Sequence, residues 1–322
     1  MDYFVKALCE FSERMVGSRG HFHAQKLIAK KMRKIGLKPY NGESFDNYYE
    51  ANDIKFNNII GRIDGASNSL NPILITAHYD TCDKQPGADD NAAAIAITFY
   101  IAEYFLRNGS QRDIIIATFD AEEPPHYQTN SMGCVRFYHD QRIECIDLAI
   151  VMDLVGHDTV IEGLEDTVFV TGFEGHKSLE EAIIVEDGVD QNLKVIPVRN
   201  EYIGNLSDHY AFNNRTPYLF YSCGLWEHYH QTTDTPEKLN YKKMKLLAES
   251  IIRLIKEVGA ENLNETYKQN STNETLPTEK LFYEKYFGET LTQNCGITEI
   301  TNKKDIKKFI DHILLTMHLS VF

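Results

Sequence analysis

Four short runs of aliphatic and β-branched residues, each leading to a residue that binds metal or carries acid–base chemistry, constrain this chain more than any other feature. Asn71-Pro-Ile-Leu-Ile-Thr-Ala77 leads into His78, and Asp113-Ile-Ile-Ile-Ala-Thr-Phe119 leads into Asp120-Ala-Glu-Glu123. Ile146-Asp-Leu-Ala-Ile-Val-Met152 leads into Asp153, and Pro217-Tyr-Leu-Phe-Tyr221 precedes the loop that carries His230. Runs of this length, bounded by turn or polar residues, read as buried parallel strands. Apolar or amphipathic helical stretches lie between them, over 91–107, 131–140 and 176–186. The alternation predicts an α/β fold, a single globular domain with a mixed, mainly parallel central sheet flanked by helices. Loops at the carboxyl ends of such strands converge on one crevice, so residues distant in sequence can meet there.

Taken singly, the residues at those positions say little. A strand-end histidine is more often structural than a ligand. Asp80, two residues beyond His78, suits the carboxylate that accepts from the imidazole nitrogen not on a metal. Pro86-Gly-Ala-Asp-Asp-Asn91 reads as a tight turn entering a helix. Its acids can cap that helix, or one of them can bridge two cations, which a neutral histidine cannot do. In Phe119-Asp-Ala-Glu-Glu-Pro124 two acids follow each other, and neighbours on an extended chain point to opposite sides. One can hold metal while the other faces substrate; a solvated acidic loop is the plainer reading. Asp153 interrupts an apolar run, which is costly unless compensated. Tyr229-His-Gln-Thr-Thr-Asp-Thr-Pro236 supplies a second imidazole, His230, with a carboxylate at Asp234. Together these give five candidate zinc ligands, His78, Asp90, Glu123, Asp153 and His230, with Glu122 as candidate general base.

Composition narrows the function classes. At 322 residues and 43% apolar content the chain can build one large core, or a core with an appendage. No stretch approaches the ~18 uninterrupted apolar residues that span a bilayer, so no membrane partner is expected. A formal net charge of −14 repels phosphate backbones and argues against nucleic acid. Cys9, Cys82, Cys134, Cys145, Cys223 and Cys295 show no Cys-x-x-Cys pairing, so most are expected as buried free thiols. The N-terminus has no basic region followed by an apolar stretch and a cleavage site, which makes cytoplasmic the default expectation; a secreted chain already trimmed of its leader would read the same. Two helices are expected before Gly36, joined at Gly17-Ser-Arg-Gly20. His21-Phe-His23 has a ligand-like spacing, but it opens a helix with no carboxylate close by in sequence, so it is read as structural. Residues 1–260 are expected to form the catalytic domain. Residues 261–322 are expected to be an extension docked on it, with an Asn/Thr-rich loop over 262–275 and helices over 276–286 and 303–319. The sequons at Asn264, Asn270 and Asn273 are taken as compositional. Oligomeric state is not specified by the sequence.

The ordered set His78-x-Asp80, Gly87-Ala-Asp-Asp-Asn91, Asp120-Ala-Glu-Glu123, Met152-Asp-Leu154, Ser207-Asp-His209 and His230-x-x-x-Asp-Thr235 resembles the clan MH co-catalytic zinc exopeptidases of the bacterial leucyl aminopeptidase type, over roughly residues 15–258. The resemblance implies two Zn2+ per chain bridged by Asp90, one completed by His78 and Asp153 and the other by Glu123 and His230. Glu122 would be the base, Asp80 and Asp234 would support the ligands, and Ser207-Asp208-His209 would form pocket wall instead of a catalytic triad. It also implies a cis peptide between Asp90 and Asn91. The expected substrates are peptides with a free N-terminus. Glutaminyl cyclases, single-zinc relatives in the same clan, are the alternative, because 124–130 is longer than in the simplest aminopeptidases. The cyclases usually place a tryptophan before the final histidine, where this chain has Tyr229, its one tryptophan being Trp226. A non-catalytic binding domain is the third reading and normally requires eroded ligand positions.

Overall fold

A computed structural model describes residues 1–11, 13–67, 69–140, 145–187, 189, 192–266 and 275–317. The four apolar runs become β4 (Ile73–His78), β5 (Ile114–Phe119), β6 (Leu148–Met152) and β9 (Tyr218–Ser222). Every residue of β4, β5 and β6 is buried, the pattern of strands covered on both faces. β4 pairs in parallel with β5 on one side and β6 on the other, and β6 pairs in parallel with β9. His78 therefore lies directly opposite Phe119, with the acids of 120–123 just beyond it.

Five further strands extend the sheet: β1 (Lys38–Pro39), β2 (Asp46–Ala51), β3 (Ile54–Ile63), β7 (Thr167–Thr171) and β8 (Lys194–Pro197). The order is β1-β3-β5-β4-β6-β9-β7-β8, with β2 paired to β3. The additions are mostly antiparallel: β1 and β2 on β3, β3 on β5, and β7 on β9. β7 and β8 run parallel. The β2–β3 hairpin turns at Asn52 and Asp53, both at positive φ (51° and 60°), as a two-residue hairpin turn demands.

The helices are α1 (Asp2–Leu8), α2 (Arg19–Ile35), α3 (Ala93–Asn108), α4 (Gly133–Asp140), α5 (Lys177–Asp187), α6 (Asn200–Ile203), α7 (Tyr241–Glu257), α8 (Leu263–Thr266), α9 (Leu276–Gln293) and α10 (Lys303–Thr316). Ser18 caps α2 by accepting from the His21 N–H, and Gly36, left-handed at φ 95°, ends it. α3 is buried almost all round because it lies between the sheet and both α1 and α7. α4 covers the opposite face, packing Phe137 against Phe119. Phe282, Tyr283, Phe287 and Phe309 of α9 and α10 belong to the same apolar cluster as β4 and α3, and the Tyr283 hydroxyl donates to the Pro197 carbonyl at 3.0 Å. Residues 267–274 of the Asn/Thr-rich stretch, with Asn270 and Asn273, and residues 318–319 of the expected last helix lie outside the described residues.

Arg112, fully buried, ties the rear of the sheet to the C-terminal segment. It pairs with Asp147 and donates to the carbonyls of Gly259 (2.9 Å), Asn71 (3.1 Å) and Glu261. Asp147 in turn accepts from the Leu263 and Asn264 N–H groups. Removing one partner of a buried ion pair strands the other charge. Arg112→Ala is therefore expected to lower unfolding stability by about 3–5 kcal/mol, read from urea denaturation with the metal content held constant.

Candidate metal centre

All the candidate residues but Asp90 lie at or beyond the carboxyl end of a strand. His78 is the last residue of β4, and Asp153 directly follows β6. Glu122 and Glu123 follow β5 through Asp120 and Ala121, the latter at φ 57°, and His230 sits at φ 56° in the loop after β9. Asp90 comes from a turn over 88–92 that runs into α3, and the Asp90–Asn91 peptide is cis. Gly87, at φ 60°, starts that turn; a Cβ there would lie 2.4 Å from the Asp90 carbonyl oxygen, so only glycine fits.

The turn and the strand ends converge. His78 Nε2 lies 3.3 Å from Asp90 Oδ1 and 3.6 Å from Asp153 Oδ1. His230 Nε2 lies 3.3 Å from Asp90 Oδ2 and 3.2 Å from Glu123 Oε2. The two oxygens of one carboxylate thus face two different imidazoles. Nitrogen and oxygen ligands about 2.0–2.1 Å from a tetrahedral zinc stand roughly 3.3 Å apart, which is the spacing seen here. Both ring nitrogens of His78, Asp90 Oδ2, Glu123 Oε1, Asp153 Oδ1 and His230 Nε2 are buried without a hydrogen-bond partner. Leaving so many polar atoms unpaired is expensive unless a cation binds them. The donor set therefore fits zinc. Among the described residues three groups have their donor atoms within 4.8 Å of one another: His78, Asp90 and Asp153; His78, Glu122 and Glu123; and Cys82, Glu123 and His230.

Charges repel strongly in this space. Burial pushes Glu122 well above the ordinary carboxylate range; His78 opposes the shift, while Glu123, Asp153 and Asp208 add to it. Glu123 is pushed up to about 8 by burial and then by Asp90. Burial opposes a charged His230, yet Asp90 and Glu123 raise it to about 10. Against the cost of burial, His230 and His78 hold Asp90 below its usual range. Burial and then Glu123, Asp83, Asp90 and Asp80 push the Cys82 thiol up to about 12.

A ring of fixed contacts supports these side chains. Asp80 accepts from the N–H groups of Glu122 (3.1 Å) and Glu123 (3.0 Å), and its Oδ1 lies 3.4 Å from His78 Nδ1, near contact without hydrogen-bond geometry. Asp234 accepts from the Asp89 N–H (2.9 Å) and the Asp90 N–H (3.1 Å). Asn91 donates to the Met152 carbonyl at 2.9 Å, tying the turn to β6. Three supporting groups escape a reading of the sequence. Asp89 turns away from the centre to accept from the Gly156 N–H and to meet His157 Nδ1, both at 2.6 Å, and His157 stacks on Trp226. Arg14 donates to the carbonyls of Tyr79 (2.8 Å), Gly87 (2.9 Å) and Pro86. Asp120 is taken up by His21 (2.7 Å) and the Asn57 N–H (2.8 Å). His21 therefore does have a carboxylate, supplied by the fold and not by sequence proximity. Of these, His157 alone left a usable signal, a histidine four residues beyond Asp153. Asp208 is buried and pushed up to about 7 by burial, while His209 is lowered to about 4 by burial and stacks on Phe220. Of the cysteines, Cys134, Cys223 and Cys295 are buried, Cys9 and Cys82 half-buried and Cys145 exposed, and all are free thiols.

The profile of peptidase family M28 matches residues 58–255. A vacuolar membrane protease of Schizosaccharomyces pombe is 32% identical over 123 residues, 33% of this chain and 14% of that protein's length. The uncharacterized protein YfbL of Escherichia coli is 23% identical over 232 residues, 62% of this chain and 70% of that protein. Among solved structures, LapB of Legionella pneumophila superimposes with a TM-score of 0.66 at 19% identity, covering 81% of this chain and 71% of that one. A leucine aminopeptidase precursor and a glutaminyl cyclase, both of Bacteroides thetaiotaomicron, each give 0.62 at 18% identity, covering 79% of this chain and 94% and 95% of theirs. At these identities the likeness establishes the fold, a mixed α/β sheet flanked by helices. The cytoplasmic expectation is corrected by the curated relatives, several of which are named vacuolar membrane proteases. Among the described residues no helix is long and apolar enough to cross a membrane.

Metal binding at this centre must displace protons, because metal takes carboxylate and neutral imidazole. Below about 8 the apoprotein holds a proton on Glu123, and below about 10 one on His230. Zinc affinity should therefore rise as pH increases from 6 to 8, with net proton release at pH 7. Calorimetric titration in buffers of different ionisation enthalpy checks this, and a binding heat independent of buffer would contradict it.

Proposed function

Because the chain belongs to peptidase family M28, a family of zinc-dependent hydrolases, we propose that it is an aminopeptidase that cuts the N-terminal bond of peptides with two zinc ions. The observation that carries this reading is the division of the Asp90 carboxylate, Oδ1 toward His78 and Oδ2 toward His230. His78, Asp153 and Asp90 would hold one ion; Glu123, His230 and Asp90 would hold the other. Bound there, zinc supplies Lewis acidity that acidifies water and polarises the scissile carbonyl.

The remaining chemistry belongs to the side chains. Glu122 Oε2 lies 3.9 Å from His78 Nε2. It stands beside the donors without belonging to the pairs centred on Asp90. A carboxylate raised by burial and by its acidic neighbours suits a group that takes a proton from water and passes it to the leaving amine. Asp80 anchors the backbone of both glutamates, so that one can serve as ligand and the next as base. Two zinc ions bring four positive charges against the five carboxylates of Asp80, Asp90, Glu122, Glu123 and Asp153. The residual negative charge favours a free ammonium over a blocked terminus. We also assign residues 1–260 to the catalytic unit and 261–322 to an extension; the docking of that extension is supported by the burial of Tyr283 and Phe309 in the common core.

Purified, zinc-loaded protein should release N-terminal residues from short peptides, lose that activity to chelators and leave N-terminally blocked peptides uncut. Glu122→Gln should lower turnover by about 10²–10⁴ with metal content and fold intact, since it removes only the proton acceptor. Glu123→Gln should instead weaken metal binding. Conversion of glutaminyl peptides to the pyroglutamyl form without release of an amino acid would transfer the assignment to the cyclases. Neither activity across a broad peptide panel would favour a binding domain.

A further inference from the structure

We propose that Cys82 is a fourth protein ligand of the ion held by Asp90, Glu123 and His230, an inference that rests on the two-metal reading above. The sulfur, a Glu123 oxygen and a His230 nitrogen lie within 4.8 Å of one another. Asp90 Oδ2 faces His230 Nε2 at 3.3 Å. Asp90 Oδ2 and Glu123 Oε1 are buried polar atoms with no hydrogen-bond partner, in residues only 2% and 4% exposed. Buried and unpartnered, they point to a cation beside His230, the histidine whose ring the thiol approaches.

The backbone around Cys82 is built, not loose. The Arg14 N–H donates to Thr81 Oγ1 at 2.8 Å, and its guanidinium takes the carbonyls of Tyr79, Pro86 and Gly87. One connection from β4 to α3 thus carries His78, Cys82 and Asp90, fixed on both sides of the cysteine. None of the other cysteines belongs to a group of candidate metal donors among the described residues.

With Cys82 included the two sites differ in kind. Asp90, Glu123, His230 and Cys82 make a closed four-donor set of the sort that holds a structural zinc. Asp90, His78 and Asp153 make a three-donor set with a position left for water or substrate. Binding converts the thiol to a thiolate, its proton leaving to solvent. Sulfur at one site only would select zinc, cobalt or cadmium there over magnesium or manganese, while the nitrogen–oxygen set stays less selective.

Cobalt titration of the apoprotein tests the assignment. Visible absorption reports bound Co2+, and an intense near-ultraviolet band reports a thiolate on it. The wild type and Cys145→Ser should show both, whereas Cys82→Ser should keep the visible absorption and lose the near-ultraviolet band. Cys82→Ser should also weaken one ion by at least the roughly 10-fold that loss of a supporting partner costs, measured by chelator competition. In the wild type, independent of any variant, zinc should protect Cys82 from alkylation as read by peptide mass. Bound Co2+ without a near-ultraviolet band, a band that survives Cys82→Ser, or alkylation indifferent to zinc would each overturn the ligand and leave the two-metal reading standing. Absence of bound metal altogether would overturn both.

Discussion

Mutual repulsion among buried carboxylates is the constraint around which this molecule is arranged. Asp80, Asp90, Glu122, Glu123 and Asp153 are all nearly inaccessible to water and cluster around one imidazole, His78. An unpaired buried charge costs several kcal/mol, so the cluster persists only if each acid is held by something other than its neighbours. Asp80 spends its oxygens on two backbone N–H groups, Asp234 on two more, and Asp89 on Gly156 and His157. The acids that remain, Asp90, Glu122, Glu123 and Asp153, are those with atoms free to face a cation or a substrate. The supporting acids thereby separate the proposed ligands Asp90, Glu123 and Asp153 from the proposed base Glu122.

This sorting lets two adjacent glutamates stand in different surroundings, as the proposed roles of base and ligand require. Their N–H groups share the Asp80 carboxylate, so their backbone is pinned while their side chains diverge. Glu123 approaches His230 and Glu122 approaches His78. The same logic joins Asp89 and Asp90: one faces inward to both histidines, while its neighbour faces back and ties the loop after β6 to the turn before α3. An error of one position in either pair would exchange a ligand for a support.

The parallel half of the fold was legible because its signal is local. Runs such as Ile114–Phe119 are unbroken and apolar, and they end on residues whose burial needs a reason. The antiparallel half was not read from the sequence. β1 has two residues, β2 is Asp-Asn-Tyr-Tyr-Glu-Ala with a single buried position, and β8 ends in proline, so their strand character comes from pairing and not from composition. Asn52-Asp53 carries a hairpin signal of its own, since both residue types tolerate the positive φ such a turn demands. Within the site, the six central residues lay in recognisable motifs. Two of the groups that hold them, Arg14 and His21, make contacts 65 and 99 residues away in sequence, which no local pattern reveals. The N-terminal helices were expected to meet at Gly17, yet α1 stops at Leu8 and α2 starts at Arg19; Arg14, between them, reaches the loop after β4.

Those long-range contacts bear on where the working unit begins. The family match starts at residue 58, but Arg14 fixes the connection between β4 and the turn of Asp90, and His21 hydrogen-bonds the acid that opens the Asp120-Ala-Glu-Glu123 segment. The N-terminal segment behaves as a keystone inserted from outside the arch: it contributes no donor to the centre but fixes the spacing of those that do. The candidate metal centre is therefore not portable as residues 58–255. A chimera or a minimal fragment that respects only the boundaries of sequence similarity would inherit the ligands without the frame that sets them apart.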